Sequence, residues 1–232
     1  MTTRLRKSCL GAMGAVWVLL AWAPPLRSDV PPPASRPLTG KIIVLDPGHA
    51  VLDEAGHIIN PGARARVFGA LERDVALSVG AKLVPLLEAQ GAKVYMTRTP
   101  TNPWRYSLRK RADNRSRAIF ANALRAHAYV RLHCDWNRSK KLKGFTIYYY
   151  RWGSRSLAKS IERSFVHHLP THEDNNLHRR SFVSSTAKMP AVLVEMGFLS
   201  NKTEGKELGT DAYQNQLAES IADGIAAYFT KK

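Results

Sequence analysis

Ile42-Ile43-Val44-Leu45, running into Asp46-Pro47-Gly48-His49, decides how the rest of the chain is read. Its apolar residues are mostly β-branched and stop at a turn that carries an acid and a histidine. A run this short, bounded by turn residues, reads as a buried strand. The pattern recurs: Ala128-Tyr129-Val130-Arg131-Leu132 runs into His133, and Ala191-Val192-Leu193-Val194 runs into Glu195. In an open parallel sheet the strand C-termini share one edge, and ligands bind outside that edge. Such strands would bring His49, His133 and Glu195 into one crevice. Histidine and glutamate together are the composition of a hydrolytic zinc site.

Between these runs the apolar period changes from two to four. Leu71–Gln90 carries Val75, Val79, Leu83, Leu86 and Leu87, with Gly91 at the stop position. This predicts a helix, kinked at Pro85. Ser107–Arg125 reads as a second helix with Leu108, Ala112, Ile119 and Phe120 inward. Leu157, Ile161 and Phe165 mark a third, and Leu217, Ile221, Ile225 and Tyr228 a last one ending at Phe229. Lys93–Thr97 and Thr146–Tyr150 read as further strands. Alternating strands and helices predict a single α/β domain: a mainly parallel twisted sheet with helices on both faces.

The chain has 232 residues, enough for one domain with an ordinary core. Lys and Arg number 35 against 18 Asp and Glu, a net of +17. Residues 1–28 hold Arg4, Arg6, Lys7 and Arg27 and no acid, so the remainder still has 31 bases against 18 acids, a net of +13. Such an excess favours anionic partners. A basic start followed by the uncharged run Cys9–Ala23 has the layout of a secretory signal. Residues 1–23 therefore read as a signal peptide, with an uncleaved N-terminal membrane anchor as the alternative. Residues 24–40 hold six prolines and read as an extended spacer. The catalytic domain is expected over 41–232. The organisation predicts export to the periplasm or cell wall. Of the cysteines Cys9 and Cys134, only the second lies in the domain, which excludes an internal disulfide and a Cys-based zinc site. Cys134 reads as a small apolar residue.

Catalytic zinc sites keep three protein ligands and leave one position open. They also need a carboxylate as general base. His49, His133 and Glu195 leave one group to find. Glu72 is best placed, because it opens the first long helix, where the dipole favours an acid and the N-terminus faces the same sheet edge.

At this point the motifs resemble those of the zinc-dependent N-acetylmuramoyl-L-alanine amidases. Ile43-Val44-Leu45-Asp46-Pro47-Gly48-His49 resembles that family's opening motif. Leu71-Glu72-Arg73-Asp74-Val75-Ala76-Leu77 is similar to its second. Arg115 through Asn122 to His133-Cys134-Asp135 is similar to its third. Pro190-Ala191-Val192-Leu193-Val194-Glu195-Met196-Gly197-Phe198-Leu199-Ser200-Asn201 resembles its catalytic motif. The resemblance spans residues 41–229. It implies Zn2+ held by His49, Glu72 and His133, Glu195 as the catalytic carboxylate, and peptidoglycan as substrate. The bond cut would join the lactyl group of N-acetylmuramic acid to L-alanine. One departure is local: the usual glycine-rich turn after the first histidine is replaced by the longer, more apolar loop 50–63, so the cleft is expected to differ there.

Other residues have plainer readings. His57, His167, His168, His172 and His178 are expected in solvated loops. Arg98 has two open readings: it faces the cleft, or it holds an acid at the sheet edge. The bases between Arg105 and Arg117, and Arg138, Lys140, Lys141 and Lys143, read as solvated faces, with anionic wall polymers as the alternative partner. No nucleic-acid-binding motif is present. The competing functions are another zinc peptidase of the cell wall and a non-catalytic basic wall-binding protein.

Overall fold

A computed structural model describes residues 36–53, 55–65, 69–102, 104, 110–169, 176–179 and 186–231. In chain order the elements are β1 (Ile42–Pro47), β2 (Val51–Leu52), β3 (Ile58–Asn60), α1 (Glu72–Ala89), β4 (Lys93–Met96), α2 (Lys110–Ala123) and β5 (Ala128–Asp135). They continue with β6 (Thr146–Tyr149), α3 (Trp152–His168), β7 (Asn176–Arg179), β8 (Ala191–Phe198), α4 (Lys202–Glu207) and α5 (Asp211–Thr230). The main sheet has the order β4-β1-β5-β8-β6-β7. Strands β4, β1, β5 and β8 are parallel; β6 joins β8 antiparallel and carries β7 parallel to itself. This is the expected mainly parallel α/β sheet.

The three deciding runs form the middle of the sheet, covered on both faces, which is why they read as continuous apolar stretches. Alternate residues of each strand serve alternate layers. Ile43, Leu45, Val130, Leu132, Val192 and Val194 pack in one core with Val79 and Leu83 of α1, Ile161 of α3 and Ile221 of α5. Val44, Tyr129 and Ala191 point the other way, onto Ala118 and Ala121 of α2. Leu38, just ahead of β1, is fully buried in the first core, and its N–H donates to the Gln90 carbonyl at 3.0 Å.

Several local expectations change. α1 passes through Pro85 without ending, its Leu83 and Leu87 fully buried on either side. β5 and β8 do not stop at His133 and Glu195 but run on to Asp135 and Phe198. Met196-Gly197-Phe198 is thus strand rather than turn, with the β5–β8 register shifting after His133. Ile119 of α2 is 49% exposed; the inward positions are Asp113, Arg117, Ala118 and Ala121. The last helix ends at Thr230. The short elements β2, β3, β7 and α4 went unanticipated. Side chains of Leu108 and Ala112, the leader, most of the spacer and His172 lie outside the described residues. Among the described residues no helix is long and apolar enough to cross a membrane.

Candidate metal centre and catalytic site

Where β1 ends, the chain leaves the sheet through two residues in the left-handed region, His49 (φ 63) and Ala50 (φ 53). Neither is glycine, so something must hold them. Two buried arginines do. Arg98 donates from Nε to the Pro47 carbonyl at 3.0 Å and from Nη2 to those of Gly48 at 2.8 Å and Arg73 at 2.6 Å. Arg117 donates from Nη2 to the His49 carbonyl at 3.1 Å and from Nη1 to that of Pro47 at 3.2 Å. Arg98 therefore meets neither of its sequence readings: it grips backbone. Burial lowers it to about 10, still charged at neutral pH.

Beneath this turn lies a fully buried carboxylate, Asp46. Its Oδ1 accepts from Arg117 Nη1 at 2.7 Å and Thr97 Oγ1 at 2.6 Å. Its Oδ2 accepts from Arg131 Nε at 2.9 Å and the Tyr129 hydroxyl at 2.6 Å. Burial pushes the Asp46 carboxyl up, but Arg117 and Arg131 outweigh that and hold it well below the usual carboxylate range. Arg117 also donates to Asp113 Oδ1 at 3.0 Å, one helical turn away. Arg117 is thus no part of a solvated basic face, whereas Arg115 is exposed.

The three expected ligands converge. Glu72 is the first residue of α1 and almost fully buried. Its Oε1 lies 2.7 Å from His49 Nε2 and 2.9 Å from His133 Nδ1. Its Oε2 accepts from the Ala63 N–H at 2.8 Å. The potential ligand atoms of His49, Glu72 and His133 all lie within 4.8 Å of one another, the one such group among the described residues. Burial pushes Glu72 up, yet its bonds to His133 and His49 hold it well below the ordinary range. Burial drives His133 down to about 4, against its bond to Glu72. A carboxylate and a neutral imidazole are the forms that bind a cation. Gly48 is required beside them: a Cβ there would sit 2.3 Å from the His133 ring.

Glu195 pairs in register with His133 on the adjacent strand. Strands are about 4.8 Å apart and paired residues face the same way. Both alternate away from the core used by Leu132 and Val194. Glu195 Oε2 and His133 Nε2 are buried with no hydrogen-bond partner among the described residues. Burial, then the charges of Glu72 and Asp135, raise the Glu195 carboxyl well above its usual value. Two imidazoles and a carboxylate within reach of one ion, beside an unpartnered fourth group, fit a catalytic zinc.

The fourth motif also supports the neighbouring loop. Ser200 Oγ accepts from the Asn137 N–H at 3.0 Å, and Asn201 Nδ2 donates to the Lys140 and Leu142 carbonyls at 3.1 and 3.2 Å. Buried Glu204 accepts from the N–H groups of Phe198 at 2.6 Å and Gly144 at 2.9 Å. Arg138, Lys140 and Lys141 on this loop are exposed.

The remaining histidines stay apart. His57 is exposed and bonded to Asp53, His168 meets Asp223 at 3.0 Å, and His178 is exposed. Cys134 is buried and its thiol pushed well up by burial, as befits a small apolar residue. Sequence reasoning missed Asn60, Arg98, Arg117, Arg131 and Glu204. The one available signal was Asp113 and Arg117, an ion pair spaced for a helix and in line with Ala121.

Fold and site together define a mixed α/β domain with a metal-capable His–Glu–His group and a buried carboxylate at the C-terminal edge of its central strands. The chain belongs to the N-acetylmuramoyl-L-alanine amidase family, whose sequence model matches residues 43–227. It is 36% identical over 210 residues to the germination-specific N-acetylmuramoyl-L-alanine amidase of Bacillus subtilis, covering 86% of this chain and 84% of that protein. It is 30% identical over 196 residues to the probable cell wall amidase LytH of Staphylococcus aureus, covering 84% of this chain but only 60% of that longer protein. Among solved structures, the amidase AmiC2 of Nostoc punctiforme superposes with a TM-score of 0.71 at 28% identity, over 83% of this chain and 99% of the other. The CwlD amidase of Clostridioides difficile, solved in complex with the GerS lipoprotein, gives a TM-score of 0.70 at 26% identity, over 83% and 100%.

Proposed function

We propose that the chain is an exported zinc hydrolase that cleaves the amide between the lactyl group of N-acetylmuramic acid and L-alanine in peptidoglycan. The observation that carries this reading is the buried, unpartnered Glu195 carboxylate in register with His133, beside the His49–Glu72–His133 group. His49, Glu72 and His133 would hold the zinc, which when bound supplies a Lewis acid for the oxygen of the scissile carbonyl. Glu195 does the proton work. Its raised proton affinity suits it to take a proton from the attacking water. It then returns that proton to the departing L-alanine nitrogen, so the products are a lactyl carboxylate and a free amine. The reading extends to organisation: a leader over 1–23, a proline-rich spacer over 24–40 and the catalytic domain over 41–232, acting in the periplasm or cell wall. An uncleaved leader would be the one membrane contact. The exposed bases of the 138–143 loop would meet anionic wall polymer.

Glu195→Gln tests the assignment. The variant is expected to keep its zinc and its affinity for peptidoglycan while turnover falls at least about a hundredfold, the scale for losing a general base. Near-normal turnover by a zinc-loaded variant, or loss of the zinc, would contradict the role.

A further inference from the structure

The loop that departs from the family pattern folds into a small hairpin, and its far end returns to the ligands. β2 and β3 pair antiparallel with Val51 opposite Asn60. The Ala50 N–H donates to the Asn60 carbonyl at 2.8 Å, so Asn60 is tied to the residue that follows His49. Asn60 Oδ1 lies 2.9 Å from His49 Nδ1.

We infer that Asn60 is a positioning residue for the metal centre, its side-chain oxygen fixing the tautomer and direction of the His49 ring. This rests on the reading of His49 as a ligand. An amide oxygen can only accept, so the bond requires the proton on Nδ1. The Nε2 lone pair is then the one left for a cation, and Nε2 is the atom that faces Glu72 at 2.7 Å. A hydrogen bond on the far side of a ligating imidazole sets its orientation and raises its basicity.

The rest of the stretch acts on the second ligand. Gly62 has φ 77, and a Cβ there would lie 2.8 Å from Glu72 Oε2 and 2.9 Å from the His49 ring. Only glycine lets the backbone pass this close in that conformation. The next N–H, of Ala63, donates to Glu72 Oε2 at 2.8 Å, leaving Oε1 as the oxygen directed at both histidines. Residues 60–63 therefore orient two of the three ligands, and the hairpin holds residue 60 in place.

The test is zinc affinity, measured by competition with a chromophoric chelator, for the full chain and for Asn60→Ala, Asn60→Asp and His49→Ala. Asn60→Ala is expected to bind zinc about 10–100-fold more weakly, the range for losing an outer partner of a ligand. Its unfolding temperature in excess chelator should stay at the wild-type value. Asn60→Asp should restore affinity to the wild-type level or beyond, because a carboxylate accepts the Nδ1 proton more strongly. Wild-type affinity in Asn60→Ala would overturn the inference. So would an Asn60→Asp variant as weak as Asn60→Ala, which would reduce Asn60 to a packing role. If Asn60→Ala also melts earlier in chelator, the Asn60→Asp result decides. His49→Ala separates the two levels of the argument. Undiminished zinc binding there would remove His49 as a ligand and the inference with it. Loss of zinc there, with Asn60→Ala unaffected, would overturn the inference alone.

Discussion

Replacing Asp46 with asparagine removes a negative charge from the point where two buried arginines converge. Arg117 and Arg131 approach Asp46 at 2.7 and 2.9 Å, and their side chains are 1% and 4% exposed. Asparagine keeps the shape but turns an N–H2 group toward donors that need an acceptor. Arg117 retains Asp113 at 3.0 Å; Arg131 loses its carboxylate partner. Removing one partner of a buried ion pair costs about 3–5 kcal/mol. At roughly 2–4 °C per kcal/mol for a domain of this size, the unfolding midpoint should fall by about 6–20 °C at neutral pH. Acid gives a second signature. The folded-state pKa of Asp46 is depressed below its model value of 3.8. Its contribution is therefore fully present above that value and is lost as pH falls below it toward the folded pKa. The wild-type stability curve should drop more steeply in that acid range than the variant's. Calorimetry in excess chelator, at neutral pH and through the acid range, measures both without interference from metal binding. A midpoint within about 2 °C of wild type at neutral pH, with parallel acid limbs, would refute the reasoning.

Ala50→Gly should raise stability. The alanine sits at φ 53, where an L-residue costs roughly 1–2 kcal/mol, partly offset by the extra unfolded-state freedom of glycine. The expected gain is up to about 1 kcal/mol, or about 2–4 °C in the thermal midpoint, and a lower midpoint would contradict the strain argument. Binding of the protein to purified cell wall should weaken sharply with salt, because the screening length falls from about 10 Å at 0.1 M to about 3 Å at 1 M. Salt-independent retention in a sedimentation assay would exclude the exposed bases of the 138–143 loop as the wall contact.

The central strands were legible because they are covered on both faces and so read as unbroken apolar runs; their extension past His133 and Glu195 was not, because the added residues are polar or small. The short elements β2, β3 and α4 left no apolar period to read. The ligands His49, Glu72 and His133 were legible because each stands at or near the end of an element that the pattern defines. What holds them was not. Asp46 meets Thr97 and Arg131 across 51 and 85 residues of sequence, and nothing local marks those pairings. Arg117 reads in the sequence as one more base on a basic helix, yet it is 1% exposed and bonded to the backbone of His49. Asn60 was invisible for a related reason: its partner is fixed by a two-strand hairpin too short to show alternation.

The central claim is the bond that is cut. Purified peptidoglycan should be digested with the zinc-loaded protein, in parallel with chelator present, and the products examined for new amino termini and new reducing ends. The account predicts new L-alanine amino termini, free stem peptides and intact glycan strands, with all of these abolished by the chelator and restored by zinc. New amino termini other than L-alanine, new reducing ends, or full activity in chelator would contradict it.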